Sequence, residues 1–389
     1  MKPLFSALLA SSLALLAPFA PAAESPYAAS ADIAEFCEPF RTKHNLPALA
    51  AVVIEGNRII AHSFTGVRKL GSPEKITPDD LFHLGSDSKA MTATVIARLI
   101  EAGKLKWTTT VGEIFGETVK GIHADWQPVT VRDLLTHHGG APGAPSPELR
   151  QQMQRREGSP TEQRLALVRG TLAQPPVAAP GSRYLYSNIG YAIVGAMVEK
   201  ILQRPWEEII RDELFTPLGI TSAGFGAPGK PGSLEQPWGH HKKREPVPPG
   251  PNSDNPPGVA PAGTAHMTMA DWSRFVSLHL QASSHNPQRA VRLLSAKSFD
   301  WLHLPAPDPK MLYGCGWIVA RHPLAKGSRK DDSGFILAHD GTNTMWYCTV
   351  IVAPERNHAF LVASNLGGAD AQKGCAATAQ ALMARYLEK

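Results

Sequence analysis

Runs of β-forming residues stand at both ends of this chain and helical segments fill its middle, an order that few architectures satisfy. Near the N-terminus, Leu49 to Glu55 and Arg58 to Val67 are joined by Gly56-Asn57, a two-residue hairpin signal. Toward the C-terminus, Tyr313 to Ala320, Phe335 to His339, Met345 to Val352 and Ala359 to Ser364 have the same texture, and Pro354-Glu355-Arg356-Asn357 supplies a tight turn between two of them. Between these ends, helical periodicity runs over Lys89 to Ala102, Val131 to Thr136, Pro160 to Ala173, Ile189 to Leu202 and Met269 to Gln281, with a Pro-rich loop from Lys243 to Gly263. Amphipathic helices also precede the first strand and follow the last. The pattern predicts an α+β fold: an antiparallel sheet built from both chain ends and flanked by terminal helices, with an inserted, mainly helical lobe. The sheet lobe takes 30–80 and 294–389, and the helical lobe 81–293.

Composition supports a folded core: 43% of the 389 residues are hydrophobic and 19% charged. The first 22 residues stand apart. Met1-Lys2 is a short positive start, Leu4 to Leu16 is apolar, and Ala20-Pro21-Ala22 has the small-x-small pattern of a cleavage site. This reads as a cleaved signal peptide and predicts a periplasmic or secreted protein without a membrane anchor, since the apolar run is shorter than the ~20 residues of a span. The formal charge is +5, and +4 without Lys2 because residues 1–22 hold no Asp or Glu. The basic residues are dispersed, and the densest cluster, Lys242-Lys243-Arg244, is followed at once by Glu245, so no nucleic-acid partner is expected. Four cysteines, at 37, 315, 348 and 375, form no CxxC pair. Cys37 shares an apolar helical stripe with Ile33, Phe36 and Phe40, and Cys375 one with Ala379, Leu382 and Tyr386. The two terminal helices, if packed together, would let Cys37 and Cys375 pair. The competing reading is that all four are buried thiols.

The chemistry resides in three short segments. In Ser86-Asp87-Ser88-Lys89, a serine at a helix start and a lysine three residues later share one face, one turn apart. Burial would favour the neutral amine, which can accept the serine proton. Ser72-Pro73-Glu74-Lys75 has the same spacing but runs into Thr77-Pro78-Asp79-Asp80, whereas Ser86 leads into Val95, Ile96, Leu99 and Ile100 at helical spacing. The second segment is Tyr186-Ser187-Asn188, just before a helix. A phenol near lysine can relay a proton and a side-chain amide can hold a carbonyl, although Ser187 and Asn188 also suit a helix cap. The third is His339-Asp340-Gly341-Thr342 at a strand end, where glycine allows close backbone approach and the next amide can face a developing oxyanion. His137-His138-Gly139 is a weaker rival because Leu134-Leu135-Thr136 looks like a helix end.

Other signals carry little. Gly224 to Lys230 imitates a phosphate loop but is followed by Pro231. Ser253-Asp254-Asn255 spells a β-lactamase motif, yet the prolines around it predict an exposed turn. His240-His241 lacks the partners of a metal site. No Gly-x-Ser-x-Gly elbow occurs, which disfavours an α/β-hydrolase.

Taken together, the three segments resemble the serine β-lactamase and penicillin-binding protein family, in particular its class C-like branch of D-alanyl-D-alanine carboxypeptidases, D-aminopeptidases and β-lactamase-fold esterases. The resemblance covers about residues 32–388, and both the order and the spacings suit it, 100 residues from Ser86 to Tyr186 and 153 from Tyr186 to His339. Leu81 to Gly85, Val129 to His137 and Pro217 to Ile220 are also similar to that branch. The resemblance implies Ser86 as the acylated nucleophile, with Lys89 as its proton partner and Tyr186 as a second acid/base. It gives Asn188, His339, Asp340 and Gly341 to substrate binding, and the amides of Ser86 and Thr342 to the oxyanion hole. No metal or organic cofactor is expected. The implied activity is hydrolysis of an ester or amide, D-amino-acid and cell-wall peptides included, with a β-lactamase or a slowly turning-over sensor as alternatives. Two departures bear on substrate: His339-Asp340-Gly341 stands where class C β-lactamases have Lys-Thr-Gly, and Gly143 or Ala144 occupies the region of their glutamine.

Overall fold

The structure is a computed structural model and describes residues 25–280, 293–308 and 310–388. The proposed signal peptide, residues 1–22, lies outside the described residues. Seven strands form the main sheet: β1 (Ala31–Asp32), β2 (Ala48–Glu55), β3 (Arg58–Gly66), β9 (Ile318–Arg321), β10 (Phe335–Thr342), β11 (Tyr347–Ala353) and β12 (His358–Ser364), in the order β1-β3-β2-β12-β11-β10-β9. Within it only the short β1–β3 pair is parallel. Two small sheets lie elsewhere, β4 (Leu81–His83), β8 (Ala265–Thr268) and β5 (Gly224–Phe225) in the order β4-β8-β5, and β6 (Gly239–His240) with β7 (Pro246–Val247). The fold is therefore α+β, with an antiparallel sheet whose strands come from both chain ends, as its residue pattern predicts.

A strand covered on both faces must be apolar at every position, and its two faces then feed two cores. In β2 alternate residues do this: Leu49, Ala51 and Val53 join the core under the terminal helices Ala34–Lys43 and Ala369–Leu387, while Ala48, Ala50, Val52 and Ile54 face the opposite core. In β12, Phe360 and Val362 lie on the first side and Ala359, Leu361 and Ala363 on the second. Cys37 and Cys375 share the terminal-helix core as free thiols, and Cys315 and Cys348 are also free and buried. None of the described helices is long and apolar enough to cross a membrane.

Two strands differ from expectation. The run from Tyr313 becomes a strand only at Ile318, because Gly316 takes φ +85° and lies so close to the helix carrying Lys89 that a Cβ there would sit 2.5 Å from the Ala90 Cα. Strand β10 instead continues past His339 to Thr342, paired throughout with β11.

The inserted helices are fixed by caps and by one buried ion group. Pro160–Leu172 begins with a capping box between Ser159 and Glu162, and Asn188–Leu202 is capped by the Ser187 hydroxyl. Arg164 of the first is fully buried, donating to Glu199 of the second, to Glu207 at 2.6 Å and to the Pro257 carbonyl at 3.3 Å. Glu199 also accepts from Thr161 Oγ1 and the Trp206 amide, yet burial raises its pKa. Removing the cation leaves this carboxylate desolvated and uncompensated. Arg164→Ala is expected to cost about 3–5 kcal/mol of stability, read as a lowered urea midpoint at neutral pH.

Candidate active site

The polar core of the site starts from a tight backbone contact. Between β4 and the helix Ser88–Glu101, residues Gly85–Asp87 form one turn of 3₁₀ helix. The Leu84 amide bonds the Ala265 carbonyl of β8, and Ser88 Oγ donates back to the Gly85 carbonyl at 2.7 Å. Gly85 has φ +48°, and a Cβ on it would sit 2.2 Å from the Thr342 nitrogen. A Cβ on Gly341 would sit 1.9 Å from the Leu84 carbonyl oxygen. The turn carrying Ser86 thus lies directly on β10, and both glycines are required by that approach.

Ser86 is half-buried, and Lys89, one helical turn on, is fully buried. Lys89 Nζ faces three acceptors: Ser86 Oγ at 3.1 Å, Asn188 Oδ1 at 2.7 Å and the Ala262 carbonyl at 2.8 Å. Burial drives its pKa well below the usual 10.5, against a smaller opposite effect of Asp87. Tyr186 donates its hydroxyl to Ser86 Oγ at 2.7 Å, and the Lys89 amine lies 4.7 Å from its ring centre. Burial raises the phenol pKa, so Tyr186 holds its proton. The structure therefore brings Ser86, Lys89, Tyr186 and Asn188 into one hydrogen-bonded cluster.

His339 lies on the same side of β10 but behind the nucleophile. Its Nδ1 is 2.8 Å from the Asp340 carbonyl, which can only accept, so this nitrogen carries the proton, and Asp87 Oδ1 stands 3.1 Å away. In the neutral ring, Nε2 then accepts from the Tyr313 hydroxyl at 3.0 Å. Asp87 is buried, which lifts its pKa to about 6 despite His339, and it also accepts from Cys348 Sγ at 3.0 Å. Asp340 does not join the cluster. Strand alternation turns its exposed side chain to the other face of the sheet, toward Tyr347 and Cys375. The resemblance gives Asp340 to substrate binding, whereas its side chain lies on the face of the sheet away from His339. Thr342 is at the mouth, exposed, with its hydroxyl donating to the Trp346 carbonyl at 2.6 Å.

Several participants are given no role in the site by the sequence pattern, although His137 stands in the rival His137-His138-Gly139 segment. Asp87 sits inside the Ser-x-x-Lys segment, where a carboxylate at an otherwise apolar helix start is itself a signal. His137, at φ +62°, accepts the Ser187 amide at Nδ1 (3.1 Å), and its buried ring lies 4.5 Å from that of Tyr186 and 4.7 Å from that of Tyr313. Burial pushes its pKa well below 6.5. The Ala262 carbonyl has no side-chain signature at all. Ser253-Asp254-Asn255 is not the exposed turn its prolines suggest: Ser253 and Asp254 are buried. His240 is buried too, between the Leu70 amide and the Asn365 carbonyl. Among the described residues, no group of three or more His, Cys, Asp or Glu is arranged to hold a metal.

A serine and a buried lysine one turn apart, a Tyr-x-Asn at the start of a second helix and a sheet edge against the serine are arranged in an α+β fold of the β-lactamase type. Residues 33–383 match the family model described as Beta-lactamase, and the chain belongs to that family. It is 28% identical over 264 residues to penicillin-binding protein 4 of Amycolatopsis lactamdurans, covering 67% of this chain and 66% of that protein. It is 25% identical over 309 residues to unguisins hydrolase ungD' of Aspergillus campestris, covering 74% and 54%. The chain thus spans less than two thirds of the length of these relatives. Among solved structures, the octameric penicillin-binding protein homologue from Pyrococcus abyssi superposes with a TM-score of 0.71 at 22% identity, covering 91% of this chain and 78% of that one. The D-alanine carboxypeptidase AmpC from Burkholderia cenocepacia gives 0.68 at 19%, covering 90% and 96%. At these identities the superpositions establish the shared fold.

The Asp87 carboxyl links the site to pH. An unfolded chain loses this proton near 3.8 and the folded protein near 6, so between those values the folded state binds more protons and stability falls as pH rises. Above both values the cost is constant, up to about 3 kcal/mol. Asp87→Asn is expected to remove this step, measured as the wild-type-minus-variant difference in unfolding free energy at pH 4 and pH 7.

Proposed function

We propose that this protein is an exported serine hydrolase that cleaves an ester or amide through an acyl-enzyme at Ser86. The observation that carries the reading is the double engagement of Ser86 Oγ, by Tyr186 OH at 2.7 Å and Lys89 Nζ at 3.1 Å. A neutral amine has two N–H groups and one lone pair. With those two donated to Asn188 Oδ1 and the Ala262 carbonyl, the lone pair is left for the serine proton. Tyr186, its pKa raised, is in the wrong state to take that proton first and the right state to give one later.

The steps follow from these roles. Lys89 Nζ takes the Ser86 proton as Oγ bonds to the substrate carbonyl carbon, and the carbonyl electrons move to its oxygen. The Ser86 and Thr342 amides bind that oxyanion. Collapse breaks the bond to the leaving group, which takes the Tyr186 proton, and the Lys89 ammonium restores the phenol. Water then repeats the sequence on the acyl-enzyme. Asn188 orients the lysine and lines the acyl group, and no cofactor is assigned a part. The leader-like pattern in residues 1–22 supports a periplasmic or secreted location, and kinship with penicillin-binding and hydrolase relatives supports small-molecule or peptide substrates.

The test uses p-nitrophenyl acetate and a chromogenic β-lactam, with intact mass recorded during turnover. Ester hydrolysis with an acetyl adduct is expected, and Ser86→Ala or Lys89→Ala should lower kcat/KM at least about a thousandfold. Tyr186→Phe should cost about a hundredfold or more. Unchanged turnover in Ser86→Ala overturns the reading, and faster turnover of the β-lactam moves the assignment to a β-lactamase. Because Lys89 must be neutral, kcat/KM should rise with pH through one ionisation lying well below 10.5. A profile that rises only near pH 10, as an unburied amine would give, removes Lys89 as the base.

A further inference from the structure

We propose that Asp254 is a positioning residue for the oxyanion pocket, an inference that rests on the acyl-enzyme reading. One buried carboxylate oxygen joins the two backbone walls of that pocket. On the nucleophile side, His83 Nδ1 accepts the Gly85 amide at 3.0 Å, which places the ring proton on Nε2. That nitrogen stands 2.8 Å from Asp254 Oδ1, bent from hydrogen-bond alignment. On the strand side, Asn343, the residue after Thr342, donates its Nδ2 to the same oxygen at 2.9 Å. The Asn343 Oδ1 in turn accepts the amides of Met345 (3.2 Å) and Trp346 (3.1 Å), closing the turn onto which the Thr342 hydroxyl is bonded.

The segment bearing Asp254 is itself anchored. Arg156 donates to the Asp254 carbonyl at 2.6 Å and to that of Asn255 at 3.4 Å. Asn255 Nδ2 donates to the Gly263 carbonyl at 3.0 Å, and Gly263 packs on the Gly85–Ser86 backbone, where its Cβ would lie 3.2 to 3.5 Å away. Asp254, His83 and Asn343 are all buried, so water does not substitute for the bridge at little cost. An oxyanion pocket gains only when both donors are held at the oxyanion's position before it forms. Here the donors belong to segments far apart in sequence, Ser86 and Thr342, and Asp254 spans them. Asp254 touches no reacting atom, so its effect falls on the transition state through the position of the two amides.

The test follows Ser86 phosphonylation by a fluorophosphonate, in which the Oγ–P bond forms, fluoride leaves and Lys89 takes the serine proton. Intact mass gives the rate, with Ser86→Ala as control, and p-nitrophenyl acetate kinetics run alongside. Asp254→Ala is expected to slow labelling and kcat 10- to 100-fold with KM within threefold of wild type. Asp254→Asn keeps an oxygen for both partners and should stay within threefold throughout. An Asp254→Ala rate within twofold of wild type, or an Asp254→Asn rate as low as that of Asp254→Ala, overturns the assignment. If Asp254→Ala does not fold, Asn343→Asp decides: it opposes two carboxylates and should slow labelling tenfold or more, and adding Asp254→Asn should restore it. No slowing, or no restoration, also overturns the assignment. Wild type that is unlabelled, or labelled equally in Ser86→Ala, removes the hydrolase reading and this inference with it. Ser86-dependent labelling indifferent to Asp254 removes this inference alone.

Discussion

The contact of the Leu84–Gly85 backbone with that of Gly341–Thr342 is the constraint on which the rest depends. Two peptide planes come together there at distances a single Cβ would exceed, and neither segment is free to move without the sheet or the helix Ser88–Glu101 moving too. The sheet supplies one side because β10 is held between β9 and β11. The other side is held because the Leu84 and Ala265 amides tie the nucleophile turn to β8 and to Ser88. A small backbone gap between a strand and a helix start is thus set by two independent hydrogen-bonded frameworks, and preorganisation of a charge-binding pocket requires that kind of rigidity.

Electrostatics then divides labour between two groups that ionise at similar pH in water. Desolvation acts on whichever form is charged, so the same dry surroundings push Lys89 toward its neutral amine and Tyr186 toward its neutral phenol. The result is a base and an acid on one oxygen at once, both neutral in the resting site. His137 extends the arrangement: held neutral by burial, it packs on Tyr186 without competing for the serine proton.

Much of this was legible in residue types and spacing because it rests on local geometry. Ser86 and Lys89 share a helical face whatever the tertiary fold, Gly56-Asn57 turns a hairpin by its own dihedral preferences, and strand runs at both ends demand a shared sheet. What escaped depends on tertiary burial or on strand phase. The resemblance gives Asp340 to substrate binding, and the strand run is read only to His339. Carried on to Thr342, the alternation of the strand alone sends Asp340 to the far face. Asp254 lay among prolines that favour exposure, and only the convergence of His83, Asn343 and Arg156 explains its burial. Tyr313 sat in a run read as strand, whereas close approach at Gly316 turns the chain and leaves its hydroxyl on His339.

The inward use of His339 bears on what the cleft can select. A lysine at this strand position would present a charge at the end of a flexible stem. The imidazole instead gives Nδ1 to Asp87 and the Asp340 carbonyl and Nε2 to Tyr313, which exhausts its hydrogen-bonding capacity within the protein. It therefore stiffens the residue next to the nucleophile, and in this arrangement neither ring nitrogen is free to bond a substrate carboxylate. Discrimination on the acyl-enzyme reading then rests on shape around Tyr186 and Asn188 and on the quality of the oxyanion pocket. An uncharged acyl group loses less in such a site than a carboxylate-bearing one, whose charge would be desolvated near the strand without a partner from position 339.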